Sequence, residues 1–165
     1  KLKKMRGRIG NPLDPESCSL LLRSMETLEL RMQLHVENGR VVADFLRAHP
    51  SVKAVYYPDL FANESQKTIF EKQCLSPGAM ISFELDSKDA CYRFLNAMKL
   101  VSLAVSLGAT ESLAQHPYTM THANVSPEDK ARMGITENMI RLSVGLEHPD
   151  DIIADLEQAL EESQK

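Results

Sequence analysis

Apolar and polar positions change period several times along this chain, and each change predicts an element. Asp14 can cap a helix that starts in the stretch Asn11-Pro12-Leu13-Asp14-Pro15-Glu16, because Pro15 suits the first helical position and Glu16 complements the dipole. Helical spacing then runs, with one possible interruption, to about His49; Val42, Phe45, Leu46 and His49 share a face and Pro50 ends the run. Val52 to Tyr57 is rich in strand formers and stops at Pro58. A shorter helix is predicted over Asn63 to Cys74, with Ile69 and Phe70 inward. Strict alternation returns at Ala79, Ile81, Phe83 and Leu85, the pattern of a half-buried strand. Ser87 then caps a helix carrying Ala90, Cys91, Phe94, Leu95 and Met98.

Leu100 to Ser106 reads as a third strand, with Val101, Leu103 and Val105 on one face and the small Ser102, Ala104 and Ser106 on the other. Leu107-Gly108-Ala109 breaks it, and Thr110 to Val125 reads as a long irregular loop of the kind that often carries function. Ser126-Pro127-Glu128-Asp129 starts a short helix that stops at Gly134. A fourth strand follows around Arg141. Pro149 with Asp150 and Asp151 opens a terminal helix whose Ile152, Ile153, Leu156, Ala159 and Leu160 form an apolar stripe. Together these elements predict an α+β domain: a mainly antiparallel four-stranded sheet with helices covering one face.

The fourth strand holds the most informative residue. In Met139-Ile140-Arg141-Leu142-Ser143-Val144-Gly145-Leu146-Glu147, period two sets Ile140, Leu142 and Val144 on one face and Met139, Arg141 and Ser143 on the other. A guanidinium held in a sheet is costly unless a carboxylate or phosphate meets its planar fork. Its partner is therefore another side chain, in a structural ion pair or on an edge strand, or it is a ligand. The glycine-bearing turns Ser106-Leu107-Gly108 and Val144-Gly145 bring polar loop groups within plausible reach of Arg141. An arginine fork with serine and threonine hydroxyls is a donor set suited to a small carboxylate.

Composition narrows the class. The 165 residues suit one domain, and 43% hydrophobic with 25% charged residues is ordinary globular usage. No apolar run approaches the roughly 20 residues that a membrane helix needs. The net charge of −4 argues against a nucleic-acid or anionic-membrane surface, and the basic cluster Lys1, Lys3, Lys4, Arg6 and Arg8 reads as a solvated arm. Cys18, Cys74 and Cys91 fit neither a disulfide framework nor a zinc knuckle, which points to a reducing, cytoplasmic setting. No metal site is expected: His116, His122 and His148 lack the closer ligand pairs of zinc sites. Cys74 and Cys91 read as small buried thiols, and Glu111 as a loop anchor before an acid-base group. The first residue is Lys1 and no secretory signal opens the chain, so a fragment of a longer protein is expected.

Three blocks together, Leu103-Ala104-Val105-Ser106-Leu107-Gly108, His116-Pro117 with Met120-Thr121-His122, and Ile140 to Glu147, resemble the Cys/Met-metabolism enzymes that use pyridoxal phosphate, of the cystathionine γ-synthase-like type. The segments Leu21-Leu22-Arg23 to Arg31-Met32 and Val55-Tyr56-Tyr57-Pro58 extend the likeness over nearly the whole chain. The resemblance implies the carboxy-terminal small domain of a fold-type I enzyme: a linker arm over residues 1–14, a long helical segment over 15–49 and a sheet domain over 50–165, docked on a cofactor domain absent from this chain. It implies that Arg141 grips the substrate α-carboxylate, with Ser106 and the adjacent backbone helping and Thr121 supporting from the loop. It places the lysine that carries pyridoxal phosphate in the preceding domain, so this chain alone is expected to be inactive and to hold no cofactor-binding residue. Members acting on cystathionine commonly carry a glutamate where Val105 stands before Ser106 and Leu107. Valine suits an uncharged thioether, which favours methionine γ-lyase chemistry over cystathionine γ-lyase, cystathionine γ-synthase or O-acylhomoserine sulfhydrylase. The likeness further implies a cytoplasmic homotetramer acting on a small amino acid. A reading of another class, a stand-alone binding or oligomerisation module without chemistry, stays open beside it.

Overall fold

The alternation at Ile81 and Phe83 on one strand and at Ile140 and Leu142 on another comes together across a single sheet, Val144 continues it just past the second strand, and the five side chains are fully buried. The computed structural model describes residues 1–10, 12–61 and 63–165; Asn11, the first residue of the predicted helix start, lies outside the described residues. In chain order the elements are α1 (Leu2–Ile9), α2 (Pro15–Met25), α3 (Leu28–Ala48), β1 (Ala54–Tyr56), α4 (Glu64–Gln73), β2 (Met80–Glu84), α5 (Lys88–Ala97), β3 (Ser102–Leu103), β4 (Leu113–Gln115), α6 (Pro127–Arg132), β5 (Met139–Ser143) and α7 (Pro149–Ser163). They fall into two compact units, Lys1–Met32 and Gln33–Lys165.

In the first unit the predicted cap is present: the Asp14 side chain accepts the Ser17 amide, with Pro15 at the start of α2. The basic segment read as an arm is helical as α1, and neither α1 nor α2 buries a residue.

The second unit holds the core. Its sheet has the order β1-β2-β5-β4-β3, antiparallel except for the parallel pair β3 and β4. One face packs Val55, Ile81, Phe83, Ala114, Ile140 and Leu142 against the apolar stripes of α3, α5 and α7. Val42, Ala43 and Leu46 come from α3, Cys91 and Phe94 from α5, and Ile152, Leu156, Ala159 and Leu160 from α7. Phe83 and Phe94 meet edge to face at 5.6 Å, fixing β2 to α5. The α+β class and the helix-covered face are as expected, and Ser87, Asn63 and Ser126 cap α5, α4 and α6.

Four details depart from expectation, and two are exposures: on α4, which buries no residue, Ile69, read as inward, is 54% exposed, and Cys74 at its end, read as a buried thiol, is exposed. The sheet has five strands, because Leu113–Gln115, inside the stretch read as an irregular loop, pairs with β5 on one side and β3 on the other. The predicted strand Leu100–Ser106 shrinks to Ser102–Leu103: as an edge strand it has one neighbour, and of its alternate apolar residues only Val101 is buried while Leu103 and Val105 are exposed.

Candidate functional site

β5 is the middle strand, so Arg141 is not an edge charge. The ladder aligns Tyr56 with Ser82, Ser82 with Arg141, and Arg141 with Gln115, and directly opposed residues share a face. A single row, Tyr56, Ser82, Arg141 and Gln115, therefore crosses four strands on the face away from the core. Among the described residues every ion pair is formed by other groups, and no carboxylate lies within ion-pair distance of Arg141. Both structural readings of the arginine, the internal ion pair and the edge charge, are thereby removed.

Arg141 is half-buried and opens into a recess of about 410 Å³ lined by Tyr56, Ser82, Pro117, His122, Met133, Gly134, Ile135 and Met139. Its protein partner is Gln115, buried at 2% exposure, whose amide oxygen accepts from Arg141 Nε and Nη2 once the amide is turned with its oxygen toward the guanidinium. Tyr56 donates its phenol to Glu84 Oε1 (3.3 Å), which also accepts from Thr136 Oγ1 (3.0 Å). Burial, followed by the charge of Glu84, pushes the Tyr56 phenol above its ordinary range.

The turns flanking this face are held by specific contacts. Gly108 has φ of +72°, where a side chain would be strained, and its amide donates to Ser143 Oγ at 3.0 Å, pinning the loop after β3 onto the Arg141 side of β5. Gly145 is required for space: a Cβ there would stand 2.5 Å from the Ser112 amide nitrogen and 2.5 Å from the Thr110 carbonyl oxygen. Around it Glu147 accepts from the Ser112 amide (2.6 Å) and hydroxyl (2.8 Å), and the Gly145 amide donates to Ser112 Oγ (2.8 Å). From α3, Asn38 Nδ2 donates to the carbonyls of Gly145 (3.0 Å) and Glu147 (2.9 Å), and His35 Nδ1 meets the Val144 carbonyl (2.8 Å). The strand carrying Arg141 thus ends in a rigidly anchored turn.

Of the residues singled out from sequence, Arg141 lies in the recess. Val105, Ser106 and Leu107 are exposed on the loop that leaves the β3 edge, two strands from β5, and do not line it. Thr121 is exposed; its hydroxyl pairs with His122 Nδ1 (2.9 Å) and donates to the Pro117 carbonyl (3.4 Å), so it braces two residues that do line the recess. His116 bonds Thr119 and the Glu137 carbonyl, and among the described residues no group of three or more His, Cys, Asp or Glu side chains could hold a metal ion. Tyr56, Ser82, Gln115 and Met139 were not singled out. Met139 shares the arginine's face in the period-two pattern, whereas the other three become neighbours only through strand register.

A profile of the Cys/Met metabolism PLP-dependent enzymes matches residues 1–161. The chain belongs to this family. Among its relatives, the L-methionine gamma-lyase of Pseudomonas putida is 47% identical over 99% of this chain and 41% of its own length. The cystathionine beta-lyase of Bacillus subtilis is 41% identical over 98% of this chain and 41% of its own length. Among solved structures, cystathionine gamma-lyase from Lactobacillus plantarum, complexed with L-serine, superimposes with a TM-score of 0.90 at 40% identity, covering 98% of this chain and 42% of that one. A putative O-acetylhomoserine (thiol)-lyase from Campylobacter jejuni, which carries a pyridoxyl-lysine phosphate, gives 0.86 at 40% identity over 93% of this chain and 37% of that one. The chain spans about two fifths of the length of the curated relatives it matches.

The family is built on pyridoxal phosphate, and this chain's residues can be weighed against that group. The Arg141 recess offers an arginine, a tyrosine, a serine and a histidine but no lysine. Lys130, the one buried lysine among the described residues, has its Nζ 4.0 Å from the centre of the Tyr118 ring, and it does not line the recess. These residues fit an anionic carboxylate and do not fit the cofactor's covalent anchor.

Proposed function

We propose that this chain is the substrate-carboxylate-binding part of a pyridoxal-phosphate enzyme acting on a sulfur amino acid, most like a methionine γ-lyase. The observation that carries the reading is a mid-sheet arginine that pairs with no acid among the described residues and opens into a recess. Arg141 meets the α-carboxylate through two parallel N–H donors, the geometry at which a guanidinium exceeds an ammonium. A substrate held at that end is fixed in direction as well as position. Orientation of this kind lowers a barrier by several kcal/mol without the holding group taking part in bond breaking. Pyridoxal phosphate, when bound, supplies the electron sink for chemistry at the amino acid.

The division into an arm over 1–14, a helical segment over 15–49 and a sheet domain over 50–165 is part of this proposal. Leu20, Leu21, Leu22 and Met25 are exposed on α2, which supports a neighbouring cofactor domain or subunit covering that helix, as in a homotetramer. Val105, Ser106 and Leu107, on the loop pinned by Gly108, are proposed to approach the substrate when that domain is present, and Thr121 to brace the recess. The lack of charge at Val105 favours a thioether tail over a second ammonium, so methionine is placed before cystathionine and O-acylhomoserine.

Steady-state kinetics of the full-length enzyme test the reading. Arg141→Ala raises KM for the amino acid by at least roughly tenfold, since a charge-assisted pair is lost, while the cofactor absorbance is unchanged. A KM equal to wild type would defeat the assignment. Assayed against methionine, cystathionine, homocysteine and O-acetylhomoserine, the wild-type enzyme gives its highest kcat/KM with methionine, and a higher value for another substrate overturns that preference.

A further inference from the structure

We infer that Gln115 is a positioning residue for substrate recognition: it turns the Arg141 guanidinium so that one edge is spent on the protein and the other is presented to the recess. The inference rests on the reading of Arg141 as the carboxylate anchor. Gln115 stands directly opposite Arg141 in the β4–β5 ladder and is buried, so its side chain has little freedom to leave. With the amide turned so that its oxygen faces the guanidinium, that oxygen accepts from Nε and from Nη2. A guanidinium carries five N–H donors in a fixed plane. With the Nε side engaged, both donors on Nη1 and one on Nη2 remain, and these include the parallel pair along the Nη1–Nη2 edge that matches a carboxylate.

A neutral acceptor is the right chemistry for this task. A carboxylate at position 115 would also fix the guanidinium, but it would neutralise the charge that the ligand needs. An apolar residue would leave Nε–H unpartnered and let the side chain rotate among its rotamers. Glutamine orients the cation and leaves its charge uncompensated. The opposite neighbour in the row, Ser82, is too short to define the guanidinium plane alone, which leaves the orientation to β4.

The test uses the full-length enzyme with its cofactor. Gln115→Met, similar in size and without the acceptor, raises KM for the amino-acid substrate roughly tenfold and changes kcat far less, the signature of lost binding common to ground and transition states. Inhibition by norleucine weakens by the same factor, whereas inhibition by pentylamine, the same molecule without its carboxylate, is unchanged. In the double variant Gln115→Met/Arg141→Ala, KM is no higher than in Arg141→Ala alone, because the glutamine acts through the arginine. Should Gln115→Met fail to fold, Gln115→Asn, whose oxygen is withdrawn by one methylene, carries the same expectations. Wild-type KM in the glutamine variant, with a raised KM in Arg141→Ala, overturns the role of Gln115 while sparing that of Arg141. An undiminished effect of Gln115→Met in the Arg141→Ala background overturns it as well. Wild-type KM in Arg141→Ala removes the reading on which the inference stands.

Discussion

His116 shows how much one buried side chain can be tied to pH. Its Nε2 lies 2.7 Å from the Glu137 carbonyl, so Nε2 carries the proton and donates, and its Nδ1 accepts from Thr119 Oγ1 at 2.8 Å. The neutral ring satisfies both partners. Burial lowers the pKa from the ordinary imidazole value of 6.5; the Glu137 carbonyl opposes this in part, and the Lys88 charge adds to the lowering. As pH falls through 6.5 the unfolded chain takes up this proton before the folded one does, so the contribution of neutral His116 is complete above that value and is lost below it. His116→Gln is therefore expected to cost more stability at pH 7.5 than at pH 5.5 in urea unfolding. An equal cost at the two pH values would show that the ring is not held neutral.

Elements depend on contacts of similar economy. Asp155, on α7 and 6% exposed, accepts the amides of Lys99, Leu100 and Val101, each at 2.9 Å, and so fixes where β3 begins. Without that carboxylate three amides at the start of an edge strand lose their acceptor. Asp155→Ala is expected to destabilise the domain by about 3 kcal/mol, measured as a shift in the urea midpoint at constant slope. A loss below about 0.5 kcal/mol, the range of a neutral surface change, would refute the capping role. The same region shows where local pattern stops informing. β2 and β5 were legible from strict alternation, and α5 and α7 because amphipathic period and helix-start residues agree within each segment. β4 was not, because Leu113-Ala114-Gln115 is too short to show a period and is buried throughout. It is a strand because β5 and β3 lie on either side, which is information held by other segments.

At the scale of the whole molecule, the sheet separates a packed face from an open one. One face is closed by helices and carries the core, and the other carries the row Tyr56, Ser82, Arg141 and Gln115 with an open recess. Arg141 could be read from the sequence because a cation alternating among apolar residues is conspicuous in one strand. Its row could not, since Tyr56, Ser82 and Gln115 lie 85, 59 and 26 positions away and meet it only through register. What the recess lacks is as specific as what it has: an arginine, a tyrosine, a serine and a histidine line it and no lysine does, so it offers no group to hold the cofactor covalently. Pyridoxal phosphate mixed with the 165-residue chain, then reduced with borohydride and mapped by peptide mass, is accordingly expected to label exposed lysines at scattered, substoichiometric levels. The full-length enzyme under the same treatment is expected to carry one stoichiometric label outside this chain. A single fully labelled lysine among the ten present here would move the cofactor's anchor into this domain and overturn the division of labour proposed for it.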